Sequence, residues 1–226
     1  MKKAFAILFF TAISLALTAQ NDDYMNLKQF DIKSGKVVYK IEGKTKGTKT
    51  LWFDDYGRSQ YEHTVTTTKM FGMTTKEEKV KIRDREWMYD IDLVEKTGTK
   101  MRVQEANEMI HTMTATSTDA QLIKLGEDVQ KDFDIQEQSS ETILGRSCKV
   151  HTSGKLNSKH WEYKRVPLKI TIDLGGILGS MNEEATSFDE NISVPASQFK
   201  VPQGITIEEI DMNKINGLIG TPDDEE

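Results

Sequence analysis

The stretch from Gly145 to Gly204 constrains the fold most. It reads GRSCKVHT, a polar turn, KHWEYKRVPLKITIDL, a glycine loop, and EEATSFDENISVPASQFKVPQG. Cys148 and Val150 alternate with Lys149 and His151, the period-two pattern of a half-buried strand. Gly154 and Asn157 mark a turn. Trp161 and Tyr163 then alternate with His160, Glu162 and Lys164. A hairpin symmetric about that turn sets Val150 opposite Trp161 and Cys148 opposite Tyr163, so both apolar pairs share one face. Pro167 has no N–H for a central ladder position, so Arg165-Val166-Pro167 is expected to bend. Leu168, Ile170 and Ile172 alternate beyond it, and Ile205, Ile207 and Glu208 suggest a last strand.

Upstream, the chain reads as a meander. Tyr24, Leu27 and Phe30 have near-helical spacing, predicting a short helix over 24–32. Val37, Tyr39 and Ile41 alternate in a strand ended by Gly43. Strands are expected over 48–53 and 59–69, with a turn at Asp54–Gly57. Met70-Phe71-Gly72-Met73 reads as a hairpin tip. Further strands are expected over 74–83, with Val80 and Ile82 on one face, over 86–92 and over 100–103. The period then changes. Ala106, Met109, Ile110 and Met113 fall on one face of a helix. Asp119 is a credible N-cap for a second helix carrying Leu122 and Ile123, with Gly126 near its end. A meander, a helical insert and more strands read as α+β.

Several of these residues carry a resemblance. Gly145, Cys148, Val150, Trp161, Tyr163, Pro167, Leu168, Lys169, Ala185, Thr186, Pro195, Ser197, Phe199, Pro202 and Gly204 form a pattern similar to the C-terminal half of LolA/LolB-like periplasmic proteins. The pattern looks most like their secreted relatives in Bacteroidetes-type bacteria. Thr50 to Arg58 (TLWFDDYGR) resembles a hairpin of the same relatives. The resemblance implies a strongly curved, incompletely closed antiparallel sheet, a half-barrel, with a helical insert covering its concave face and an apolar cavity for acyl chains. No functional residue of a lipoprotein carrier aligns onto this chain.

Residues 1–19 have the form of a cleaved signal peptide: Lys2 and Lys3, an apolar run from Ala4 to Leu17, and a small-residue site at Leu17-Thr18-Ala19. No lipobox cysteine follows. A periplasmic or secreted location is therefore expected, with one domain over 20–212, an acidic tail over 213–226 and no stable membrane insertion. The chain carries 30 basic and 36 acidic side chains, net −6, and loses two lysines with the leader. That balance argues against nucleic acid as an electrostatic partner. Cys148 is the single cysteine, so an intramolecular disulfide is impossible.

No pattern points to a reaction. Cys148, on the apolar face of a strand, reads as a small buried hydrophobe. His151 and His160 face each other across the hairpin, but spacing places no third ligand, and Lys149 and Lys159 flank them; a metal centre needs three or four ligands. His63 and His111 are isolated. Gly175 to Ser180 lacks the spacing of a phosphate loop. Asp54-Asp55 and Asp90-x-Asp92 are explained by a turn and a solvated strand face. No cofactor is expected, and the chain is read as a non-enzyme.

Methionines stand out: Met70, Met73, Met88, Met101, Met109, Met113 and Met181. Core filling is the plainer account, yet flexible thioethers also suit an adaptable apolar surface. The tip and the loop at Ile177-Leu178 are apolar where contact with something is expected. The expected hydrophobic-ligand site comprises Met70, Phe71, Met73, Met109, Ile110, Met113, Ile177 and Leu178, and its occupant is a lipid or an acylated peptide. The alternative, from another class, is an envelope protein-interaction or stress-sensing module presenting the same curved sheet to another protein.

Overall fold

The described residues form one sheet of twelve strands, most of them with alternating apolar and polar residues. The computed structural model describes residues 28–70, 72–106, 119–173, 175–176 and 179–210. The strands are β1 (Gly35–Gly43), β2 (Thr45–Asp54), β3 (Ser59–Met70), β4 (Met73–Arg83), β5 (Trp87–Asp92), β6 (Thr97–Arg102), β7 (Ile135–Ile143), β8 (Arg146–Ser153), β9 (Ser158–Tyr163), β10 (Val166–Asp173), β11 (Ser180–Glu190) and β12 (Thr206–Glu209). Their spatial order is β12-β6-β5-β4-β3-β2-β1-β11-β10-β9-β8-β7. Two antiparallel meanders, β1–β6 and β7–β11, thus join edge to edge where β1 pairs with β11. β12 returns to run parallel to β6. The sheet is curved and unclosed, and the architecture is mostly β rather than α+β.

The anticipated helical insert over the concave face is not evident. A helical turn occupies 103–106, and α1 spans Asp119–Asp132. The stripe at Met109, Ile110 and Met113 lies outside the described residues, as do the expected signal peptide and acidic tail. α1 runs well past Gly126, which sits mid-helix rather than near the end. The turn that follows it is fastened to the β8–β9 hairpin: Ser153 Oγ donates to the Phe133 carbonyl (2.6 Å) and Gly154 N to the Asp134 carbonyl (3.0 Å).

The register expected for the central hairpin holds. Val150 pairs with Trp161, His151 with His160, and Lys149 with Glu162. The bend falls elsewhere. Lys164 and Arg165 take positive φ (49° and 63°) and form the two-residue turn themselves, as the right-handed strand twist favours. Pro167 instead lies within β10, opposite Glu162, at a register shift that ends at Lys169. A bulge tolerates a residue without an N–H. Residues 28–34 form bends, not the expected helix. Phe30 reaches across to Phe53, with ring centroids 4.7 Å apart at 61°. Gly57 (φ +82°) permits this approach, because a Cβ there would meet Phe30 Cδ2 at 2.7 Å.

Two apolar clusters result. The larger joins Phe30, Val37, Tyr39, Leu51, Phe53, Cys148, Val150, Trp161, Val166, Leu168, Ala185 and Phe188. The smaller joins Val80, Ile82 and Ile91 with Tyr61, Tyr89, Phe199, Val201, Ile205 and Ile207. Pairing shows that they occupy opposite faces of the sheet. Leu51 is opposite Glu62 and Phe53 opposite Gln60, while Trp52 is opposite Tyr61; Tyr61 is opposite Ile82 and His63 opposite Val80. Because side chains alternate, Tyr61, Val80 and Ile82 project from the face that Leu51 and Phe53 do not use. The buried face therefore inverts between β2 and β3.

Candidate functional site

The face that carries Leu51 and Phe53 changes character beyond β2. Across β3, β4 and β5 its residues form cross-strand rows: Glu62–Lys81–Asp90, then Gln60–Arg83–Met88, with Met101 opposite Met88 on β6. Lys81 and Asp90 are exposed there. Opposite charges set side by side in this way stabilise a solvated face. Met70 and Met73 end the same face at the tip of the β3–β4 hairpin, opposite each other. Met181, opposite Gly43, falls on it too. So all five of the singled-out methionines that are described, Met70, Met73, Met88, Met101 and Met181, project from one face. Arg83 donates to Met88 Sδ (3.6 Å), and burial lowers the pKa of its guanidinium.

Where this face meets the larger cluster lies a charged group that sequence spacing did not reveal. Lys49 contacts Glu183 directly and Glu62 at 3.7 Å; the Lys49 and Glu183 side chains are 13% and 11% exposed. Burial works to lower the Lys49 pKa, but Glu62 and Glu183 outweigh it and hold the ammonium above its usual value. Its Nζ lies 4.4 Å from the centre of the Tyr39 ring. Tyr39 is buried and donates from its hydroxyl to the Pro167 carbonyl (2.8 Å). Burial first, then Glu183 and Glu62, push the phenol well above its normal range. Lys49 and Glu183 are 134 residues apart in the chain and meet only because β1 bridges β2 and β11.

The expected ligand residues are only partly placed. Met70 and Met73 are 36% and 67% exposed. Phe71, Met109, Ile110, Met113, Ile177 and Leu178 lie outside the described residues. A cleft of about 320 Å³ lies at the end of the β8–β9 hairpin beside the close of α1, lined by Asp134, Gln136, Thr152, Asn157, Ser158 and Thr171. It is polar, unlike the methionine-lined cavity expected.

The remaining candidates resolve in physical terms. Cys148 is buried, and burial raises its thiol pKa, so it is a core side chain and not a thiolate. Asp54 accepts from Asp55 N (2.8 Å), Asp55 pairs with Arg58 and Arg85, and Asp92 accepts from Val94 N and Glu95 N. All three acids serve turns. His63 pairs with Glu78 (2.8 Å). His111 lies outside the described residues. His151 Nε2 lies 3.9 Å from Glu162. His160 is half-buried, and burial, with His151 second, lowers its pKa. Lys159 does not flank the histidines. It turns to Glu141 (2.6 Å) and over the Trp161 ring, whose Nε1 also donates to Glu141 (2.8 Å).

No protein-family model matches this chain, and no curated protein matches it. The LolA/LolB-like resemblance thus has no counterpart among sequence families. Solved structures do match, 57 chains in all. One is an uncharacterized conserved protein from Thermus thermophilus, at 8% identity and a TM-score of 0.47, covering 83% of this chain and 96% of that one. Another is the MucA/MucB complex of Pseudomonas aeruginosa, at 12% identity and 0.41, covering 88% of this chain and 63% of the other. A third is LprF from Mycobacterium bovis, at 9% identity and 0.32, covering 81% and 96%. At such identities and scores the likeness assigns no function.

Proposed function

We propose that this chain is a non-enzymatic binding protein of the cell envelope, and that the methionine-bearing face of β3–β6 takes an acylated peptide or lipid. One observation carries the reading: Met70, Met73, Met88 and Met101 share this face with rows of alternating charge. Thioethers adapt to varied apolar shapes, while Lys79, Lys81, Arg83, Asp90 and Asp92 offer partners to a polar backbone. Such a mixed surface suits an acylated peptide better than a bare fatty acid. The envelope location rests on the leader-like residues 1–19.

The test is titration with a fluorescent acylated peptide and with its unacylated form. Saturable binding of the acylated probe is expected, weakened at least tenfold by Met88→Ser with Met101→Ser, since both thioether contacts with the acyl chain are lost. No saturable binding, or unchanged binding by a folded double variant, overturns this reading.

A second reading is docking to another envelope protein through the β3–β4 tip. It is favoured by the exposure of Met70 and Met73 and by the edge of β4 before Lys79, which pairs with no further strand among the described residues. Photo-crosslinking from position 73 in the native envelope distinguishes the two: a protein adduct supports docking, a lipid adduct the first reading.

A further inference from the structure

We propose that His151 and His160 form a docking site for one divalent first-row transition ion, Cu²⁺ ahead of Zn²⁺, with a neighbouring carboxylate as third ligand. The two histidines are directly opposite each other on β8 and β9. Cβ atoms at such positions lie about 5 Å apart. Two imidazoles rising from them can therefore converge on one ion at metal–nitrogen distances of about 2 Å. Both rings stand away from the apolar side of the hairpin, where Val150 and Trp161 pair.

Carboxylates lie on both sides. Glu162, two positions along β9 from His160, approaches His151 Nε2 at 3.9 Å. Glu137 is opposite His151 on the far side, on β7, the edge strand of the sheet. Row and diagonal together offer two nitrogen and two oxygen donors from three adjacent strands. Among the described residues no three His, Cys, Asp or Glu groups are close enough to close a metal centre as they stand. The third ligand is recruited by side-chain rotation of Glu162 or Glu137, and water completes the shell. Lys149, opposite Glu162, opposes the incoming cation and keeps the affinity modest. Imidazole and carboxylate donors in an open site follow the Irving–Williams order, hence the preference for copper.

The experiment uses the full chain with CuCl₂ or ZnCl₂ as probe, followed by calorimetry and by copper electron paramagnetic resonance. One ion per chain, with hyperfine splitting from two equivalent nitrogens, is the expected result. His151→Asn and His160→Asn should each weaken binding at least tenfold and reduce the splitting to one nitrogen. Glu162→Gln should weaken it a few-fold. His63→Asn, on a distant strand, should change nothing. Because an ion shared by two strands binds only the folded chain, saturating Cu²⁺ should raise the Tm of wild type and not of His151→Asn. Stoichiometry below one ion, a one-nitrogen signal in wild type, or equal affinity in His151→Asn overturns the proposal. If His160→Asn proves unfolded, His151→Asn and the wild-type spectrum still decide it.

Discussion

The part of the sheet built from β7 to β11 with β1 is interrupted by three register shifts, whereas β2 to β6 run in unbroken register. The shifts fall between Gln138 and Glu141, between Pro167 and Lys169, and between Val38 and Tyr39. Each bulge bends its strand and adds twist, so this part wraps its apolar face around Phe53, Trp161 and Phe188. From β3 onward the strands bury the other face, and the cover is a segment from the far end of the chain carrying Phe199, Val201, Ile205 and Ile207. Curvature and an added cover are two solutions to the same problem, since a sheet must bury one face against something. The seam between them carries the Lys49 ion group on one side and the Trp52–Tyr61 pair on the other.

The sharpest break of this comparison is Phe53→Ala. It removes a fully buried ring and its contact with Phe30, at an expected cost of about 3–5 kcal/mol in urea unfolding. Lys49→Met should follow at about 3 kcal/mol, because Glu183 is left nearly buried without its cation. Adding Glu183→Gln should recover much of that loss; failure to recover it means the ion group is not the seam's weak point. The same group has a pH signature. Folding raises the pKa of both Tyr39 and Lys49. Each therefore contributes stability that is complete below about pH 10 and lost as pH rises through the folded-state value. Tyr39→Phe should flatten part of the alkaline loss in a chemical-denaturation series.

Ile91→Ala, in the smaller cluster, should cost about 2–3 kcal/mol, near the low end for a buried isoleucine. Its distinctive effect should be early proteolysis within 196–210, as the cover loosens. Equal protection in Phe53→Ala and Ile91→Ala would mean the two clusters melt as one. Met73→Asp, at an exposed tip, should shift stability by less than about 0.5 kcal/mol; a larger loss would mean that the tip is packed.

Much of the fold was legible where one face is apolar and the other polar. Val37, Tyr39 and Ile41, Val80 and Ile82, and the Val150–Trp161 pair all follow from period two. β7 was not legible: IQEQSSETI has no alternation because an edge strand with both faces solvated needs none. The inversion was hidden for a related reason. Residues 59–64 of β3 put Tyr61 under one cluster and Glu62 beside the other, and a sequence alone does not say which side of a strand is inward. The turn at Lys164-Arg165 was missed because neither residue is a habitual turn former, while Pro167 looked like the stronger signal. Of the candidate site, the hairpin tip is legible, since Met70 and Met73 close the β3–β4 pair. The Lys49–Glu62–Glu183 group could not be read at all, since its members are brought together by pairing between opposite ends of the chain.

That pairing also bears on how the molecule assembles. Neighbouring strands within each meander are joined by short connections and can zip locally, but β1 must find β11 across the length from Gly35 to Glu190. Contacts so far apart in sequence are slow to form, because the closure entropy of the intervening chain comes due before any contact repays it. Until they meet, each meander ends in a bare strand edge with unpaired backbone groups, a state open to pairing with other chains. The meeting of β1 with β11 is thus the expected rate-limiting event. Refolding followed by tryptophan fluorescence should slow with Val37→Ala at the β1–β11 junction and be little changed by Thr67→Ala in the β3–β4 hairpin.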